Sequence, residues 1–188
     1  MNPHDFDWFS VVTFAPPAVQ EQVDEIRRLA QLPPRPMIPA HVTLRGTFEK
    51  PTDLDLVAAA VRACASAHAP SVVSANRLHV WRHDDRSTVV LLAEVPPEVE
   101  ALHWDLIAAL KWLCVPAAPY RDEESAPYHP HLTLVQTILR ANEAAALATI
   151  ERFSPGYAFT AAEATLMGRR GGTRWERLAS FPIGRPSQ

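Results

Sequence analysis

Two short stretches decide the fold of this chain: His-Val-Thr-Leu at residues 41–44 and His-Leu-Thr-Leu at residues 131–134. The chain holds 8 histidines, so a chance repetition of His-x-Thr-Leu at two of them comes to roughly one in a thousand. Each stretch alternates between two kinds of side chain, which is typical of a half-buried strand. We therefore predict two equivalent strands that both open with histidine.

The alternation brings the polar residues of each motif to one side of its strand. Residues i and i+2 share a face, so His41 projects with Thr43 and His131 projects with Thr133. If the two strands face each other, a tetrahedral phosphate could accept hydrogen bonds from both hydroxyls and lie between both imidazoles. One imidazole can then accept a proton while the other donates one. Such an in-line attack at phosphorus requires no metal, because positioning and charge stabilisation do most of the work.

The same order of elements surrounds both motifs. Each half is predicted to run strand, helix, strand, helix, strand, with a Pro-rich connector before the middle strand, and one more strand closes the chain. The predicted strands are Trp8–Ala15, Ala40–Phe48, Val72–Trp81, Thr88–Val95, His131–Thr137, Tyr157–Met167 and Thr173–Ile183. The predicted helices are an apolar stripe from Val19 to Ala30, a segment from Thr52-Asp53 to Pro70, Glu98–Leu113 and Asn142–Phe153. Gly171-Gly172 predicts a hairpin between the last two strands.

Composition limits the class of protein. With 188 residues, 47% of them hydrophobic, the chain can form a core, and we expect one two-lobed domain over residues 1–188. The formal charge of −3 excludes a generally basic nucleic-acid coat. Two cysteines, Cys64 and Cys114, fit a reducing compartment. No run approaches the ~20 apolar residues of a membrane span, and we expect a cytoplasmic monomer.

The paired tetrapeptides on a duplicated scaffold of this length resemble the 2H phosphoesterase superfamily. Within it, the chain looks most like the bacterial 2′-5′ RNA ligase and RNA 2′,3′-cyclic phosphodiesterase group, the LigT-like proteins. The resemblance rests on His-Val-Thr-Leu-Arg-Gly-Thr-Phe at 41–48, Pro-His-Leu-Thr-Leu at 130–134 and the flanking element order. It implies an α+β bilobal fold in which two antiparallel sheets line a central cleft, with the helices outside.

The resemblance also implies an activity. This is the metal-independent, cofactor-free hydrolysis of 2′,3′-cyclic phosphate ends of RNA or nucleotides to 2′-phosphates, with 2′-5′ ligation as the reverse reaction. His41 and His131 would be the acid/base pair, and Thr43 and Thr133 the phosphate donors; which histidine begins as the base stays open. Two alternatives remain: a non-catalytic RNA or nucleotide-binding module, and a diesterase for linear 2′-5′ oligonucleotides or a cyclic ADP-ribose phosphate.

Further residues are candidates for substrate contact. Alternation places Arg45 on the face of His41, where it would supply a positive charge for the phosphate, unless it is a rim arginine that pairs with Glu49 or another carboxylate. Tyr128 and Trp175 are candidates for stacking a nucleobase, whereas we interpret Phe48 as core.

Two groups near the motifs have simpler interpretations. His129 lacks the partners that a zinc site requires, so we predict no metal. Four arginines around the Gly171-Gly172 turn could follow an RNA backbone, although solvated hairpin charges are the simpler interpretation; they are Arg169, Arg170, Arg174 and Arg177.

Overall fold

A computed structural model describes residues 5–30, 38–49, 51, 53–117, 126–153, 156–172 and 174–184. Within these ranges it contains nine strands and four α-helices. The strands are β1 Trp8–Phe14, β2 His41–Glu49, β3 Ser71–Arg82, β4 Arg86–Glu94, β5 Val115–Pro116, β6 His131–Leu139, β7 Tyr157–Ala161, β8 Glu163–Arg170 and β9 Arg174–Pro182. The helices are α1 Pro17–Leu29, α2 Leu54–Ala67, α3 Pro97–Leu110 and α4 Glu143–Phe153. The α+β class is confirmed.

The strands form one antiparallel sheet in the order β7-β3-β4-β6-β2-β1-β8-β9, with the short β5 paired to β2. The two motif strands, β2 and β6, are neighbours at its centre, and a single residue pair, Val42 with Leu132, is recorded between them. The sheet thus divides into a β7-β3-β4-β6 half and a β2-β1-β8-β9 half, and we refer to the β2–β6 junction as the seam. The two sheets expected from the sequence are therefore joined at this point.

One predicted strand is wrong. Tyr157–Met167 is two strands, because β7 ends at Ala161 and β8 begins at Glu163. β7 pairs with β3 in one half of the sheet, whereas β8 pairs with β1 in the other. The chain crosses between the halves at Ala162, and nothing in the local alternation of residues marks that crossing.

Helix ends follow local rules. Pro17 and Pro97 occupy the first turns of α1 and α3, where a missing N–H costs no hydrogen bond. Asp53 caps α2 by accepting hydrogen bonds from the backbone N–H groups of Asp55 and Leu56, which satisfies two otherwise free donors. The predicted start of this helix is confirmed at Asp53, while Thr52 lies outside the described residues.

The apolar face of the sheet is buried beneath the helices. Val42, Leu44, Leu132 and Leu134 are fully buried, as the alternation within both motifs predicts. Helices α1 and α4 contact β6, and α2 and α3 contact each other and the β2-β1-β8-β9 half. Gly171 and Gly172 adopt φ of 59° and 76°, a left-handed conformation that favours glycine, so the predicted hairpin between β8 and β9 is confirmed. None of the described helices is long and apolar enough to cross a membrane.

Candidate active site at the seam

The pairing of Val42 with Leu132 brings the two motifs together. Both residues are buried on the helix-covered side, so their sequence neighbours project from the other side of the sheet, which we call the histidine face. Counting outward along the antiparallel strands sets His41 opposite Thr133 and Thr43 opposite His131. The four motif side chains therefore share one face at the centre of the sheet, with each imidazole beside the hydroxyl of the other motif.

Both imidazoles are held in the same way. His41 Nδ1 lies 2.7 Å from the carbonyl oxygen of Pro39, and His131 Nδ1 lies 3.0 Å from that of His129. Because a carbonyl oxygen only accepts, each Nδ1 carries the proton and donates it. In the neutral ring this leaves the Nε2 lone pair free to accept a proton, and in the charged ring Nε2–H can donate one.

The protein favours the neutral form of both rings. Burial lowers the pKa of His41 to about 4, against the raising effect of its hydrogen bond to Pro39, and positive charge on His131 and Arg27 lowers it further. Burial also lowers the pKa of His131, helped by His129 and opposed by the bond to the His129 carbonyl. A bound anion would act in the opposite direction, because nearby negative charge favours an imidazolium.

A pocket of about 220 Å³ opens beside these groups; its lining includes Thr43, Trp81, His103, Tyr128 and His131. The Trp81 ring packs edge-to-face against His131, with centroids 4.5 Å apart and planes at 85°. Tyr128 donates its hydroxyl to the Thr43 carbonyl oxygen at 2.6 Å and stacks on His103 at 3.9 Å. Burial raises the pKa of Tyr128, so the phenol stays neutral. Tyr128 lines the pocket with one ring face already covered by His103, and its contact with substrate stays a prediction.

Two residues without a predicted role fix the motif strands from the helices. Arg27 of α1 donates Nε–H to the Leu134 carbonyl oxygen at 2.7 Å, and His103 of α3 donates Nδ1–H to that of Leu44 at 2.8 Å. Each carbonyl lies three residues after its motif histidine, and α1 and α3 hold equivalent places in the repeated element order. Each of the two sequence repeats thus contributes a helix donor that holds the motif strand of the other repeat at the seam.

The predicted position of Arg45 is wrong. The β1–β2 pairing shifts by one residue between Thr43 and Arg45, so Arg45 lies opposite Val11 and not on the face of Thr43. A bulge of this kind adds one residue and reverses the alternation beyond it. Arg45 is only 3% exposed; its guanidinium donates to the Gly46 carbonyl oxygen and lies 5.4 Å from the Phe48 ring centroid. Phe48 is fully buried, which confirms its interpretation as core.

Trp175 and His129 are the remaining residues that the sequence singled out. Trp175 is half-buried on β9, opposite Arg169, and its contact with substrate stays a prediction. His129 is exposed and provides the carbonyl that orients His131. Across the described residues, no three His, Cys, Asp or Glu side chains cluster as metal ligands.

Sequence reasoning missed Trp81, His103 and Arg27. Trp81 closes an ordinary strand pattern, and its place beside His131 arises from the β3–β4 and β4–β6 registers. His103 and Arg27 occupy ordinary helical positions. The equivalent places of α1 and α3 in the repeat are the one sequence signal that could have directed attention to these two helices.

Comparisons with known proteins agree with the fold. Residues 15–173 match the family model described as the 2′-5′ RNA ligase superfamily. E. coli LigT complexed with NADP+ is 17% identical with a TM-score of 0.61, over 96% of this chain and 99% of that one. TT0787 of Thermus thermophilus is 15% identical with a TM-score of 0.66, over 96% and 100%. At these identities the likeness shows a shared fold. Among curated proteins, no match was found.

Proposed function

Because the chain belongs to the 2′-5′ RNA ligase superfamily, we propose that it hydrolyses 2′,3′-cyclic phosphate ends of RNA or nucleotides to 2′-phosphates. Membership supports phosphodiesterase-type activity in general, and the arrangement at the seam supports the specific reaction. The reverse reaction joins a 2′,3′-cyclic phosphate end to a 5′-hydroxyl through a 2′-5′ bond. In this mechanism His41 and His131 are the acid and the base, and Thr43 and Thr133 bind the phosphate.

The main support for this reaction is the strand register at the seam, which sets His41 beside Thr133 and Thr43 beside His131. A cyclic phosphate between the motifs accepts hydrogen bonds from both threonine hydroxyls on its non-bridging oxygens. Water enters on one side of phosphorus and the 3′-oxygen leaves on the other, so the two Nε2 atoms are required on opposite sides. The antiparallel register of the two motifs supports this geometry, because it relates them by a near two-fold axis.

Each proton that moves in the hydrolysis step has a named donor and acceptor. The neutral imidazole takes a proton from water as the new P–O bond forms, and the charged imidazole gives a proton to the 3′-oxygen as its bond to phosphorus breaks. Burial favours the neutral form of both rings. Binding of the anionic phosphate raises their pKa values, so that one ring takes a proton from solvent and becomes the acid. Either ring can begin as the base, because both present Nε2 in the same way.

Alanine substitution at His41 and at His131 tests the proposal. With a 2′,3′-cyclic mononucleotide, each variant should lose roughly 10²–10⁴-fold in kcat while its circular dichroism spectrum and Tm stay close to those of the wild type. His83, exposed in the β3–β4 turn, provides a matched control for histidine loss through His83→Ala. Chromatography should identify the product as the 2′-phosphate, and EDTA should leave the rate unchanged.

Three results would contradict the proposal. These are full activity in both variants, loss of activity with EDTA, or a 3′-phosphate product. A flat product time course together with salt-sensitive nucleotide binding would instead establish a non-catalytic binding module.

A further inference from the structure

A second set of side chains lies on the histidine face, beyond the seam. Trp8, Arg169 and Trp175 form one row across β1, β8 and β9, because Trp8 pairs with Arg169 and Arg169 pairs with Trp175. Arg177 lies in a neighbouring row, opposite Met167. The register from His41 through Phe14 and along β1 assigns all of them to the face that carries the motif histidines. We call Trp8, Arg169, Trp175 and Arg177 the distal surface.

Ring contacts connect the distal surface to the seam. The Arg169 guanidinium carbon lies 3.5 Å from the centroid of the Trp8 ring. That of Arg177 lies 4.8 Å from the Phe14 ring, and the Phe14 and His41 rings are 6.4 Å apart. From Phe14 to Trp8 the strand advances six residues, roughly 20 Å. Aromatic rings and cations therefore follow the sheet for a length that exceeds one nucleotide.

The four arginines around the hairpin differ in whether an acidic side chain lies beside them. Arg170 and Arg174 project from the opposite face, where both approach Glu176 within 3.5 Å and Arg170 also lies 3.9 Å from Asp5. No carboxylate of a described residue lies within ion-pair distance of Arg169 or Arg177. Arg170 and Arg174 are thus paired with acidic residues, whereas Arg169 and Arg177 lie next to aromatic rings with no described carboxylate beside them.

We propose that the distal surface binds the single-stranded RNA that precedes the reacting cyclic end. The positive charges of Arg169 and Arg177, which no described carboxylate pairs, bind the phosphate backbone, and the half-buried Trp175 ring offers a face on which bases stack without sequence preference. This inference rests on the proposed function, because it assigns an oligonucleotide and not a free nucleotide as the preferred substrate. It also gives Trp175 a place in substrate binding, distant from the reacting phosphate.

The kinetic test compares two substrates, a 2′,3′-cyclic mononucleotide and a short single-stranded RNA with the same 2′,3′-cyclic end. The wild type should favour the oligonucleotide in kcat/KM. Arg177→Ala and Trp175→Ala should each reduce that preference about tenfold, through a higher KM for the oligonucleotide. Trp175→Phe should restore much of the loss, because it keeps an aromatic face.

A binding test does not depend on turnover. Fluorescence anisotropy with an unreactive oligonucleotide that ends in a 2′-phosphate measures affinity against salt concentration. Removing Arg169 and Arg177 together should lower the slope of log K against log salt by roughly 0.7 for each arginine. The matched control is the double variant Arg170→Ala/Arg174→Ala, which changes the same two strands and the same net charge on the opposite face. Arg177→Ala alone provides the comparison if the double variant fails to fold.

The outcomes separate the two proposals. If neither substrate is hydrolysed but the oligonucleotide binds and Arg177→Ala weakens it, the proposed function fails and the distal surface stands. If the wild type hydrolyses the cyclic mononucleotide and the oligonucleotide with the same kcat/KM, the proposed role of the distal surface is overturned. Equal weakening of oligonucleotide binding by the opposite-face control would overturn it too, because net charge alone would then explain the effect.

Discussion

Replacement of Arg27 by alanine should affect both the stability and the acid–base behaviour of the site. Arg27 is largely buried, with 19% of its side chain exposed, and its Nε–H bond to the Leu134 carbonyl oxygen measures 2.7 Å. A hydrogen bond from a charged donor is worth about 1.5–3 kcal/mol, and its loss leaves this carbonyl without its partner. We expect Arg27→Ala to lower the free energy of unfolding by about 2 kcal/mol, or roughly 4–8 °C in Tm.

The same substitution should raise the pKa of His41. The positive charge of Arg27 disfavours a charged His41 and so contributes to its low pKa. Removing that charge should raise the pKa of His41, and the acid limb of the kcat/KM profile should move to higher pH if His41 begins as the base. Histidine ring resonances in NMR spectra, followed against pH, measure the shift directly.

The neighbouring arginine provides the control. Arg28 is exposed and pairs with Glu25 on the same helix, and such surface pairs contribute little to stability. Arg28→Ala should leave both Tm and the His41 titration unchanged. An Arg27→Ala protein with an unaltered His41 pKa, or with no greater loss of stability than Arg28→Ala, would refute the reasoning.

Two other substitutions follow from the described contacts. Burial lowers the pKa of His131, and the Trp81 ring lies 4.5 Å from the His131 ring. Trp81→Ala should therefore raise the pKa of His131 toward its ordinary value, and Trp81→Phe should raise it less. NMR titration of His131 in both variants measures these shifts. Glu143 accepts hydrogen bonds from Ser87 and Arg82, which together with Arg140 lower its pKa. A depressed carboxyl pKa stabilises the fold above the unfolded pKa near 4.5, and this contribution is lost as pH falls through the folded pKa. Glu143→Gln should therefore destabilise the protein at pH 7 and have a smaller effect at pH 3, as urea denaturation at both pH values would show; equal effects would contradict it.

The amino-acid sequence by itself determined the features that depend on local periodicity. His41 and Thr43 share a face because side chains alternate along a strand, and the same rule buries Leu132 and Leu134. Helices α2 and α4 begin within two residues of their predicted starts, because capping and apolar spacing act over a few residues. The repetition of the motif with its flanking elements identified two equivalent strands.

Tertiary structure alone decided the features that depend on pairing between distant strands. Arg45 follows the same alternation as Thr43 in the sequence, yet a bulge in the β1–β2 ladder turns it to the opposite face. The division of Tyr157–Met167 depends on two different partner strands, β3 and β1. Arg27, Trp81 and His103 reach the seam through contacts with residues far along the chain. Register and bulges arise from the hydrogen bonds of two strands at once, so the periodicity of one strand carries no record of them.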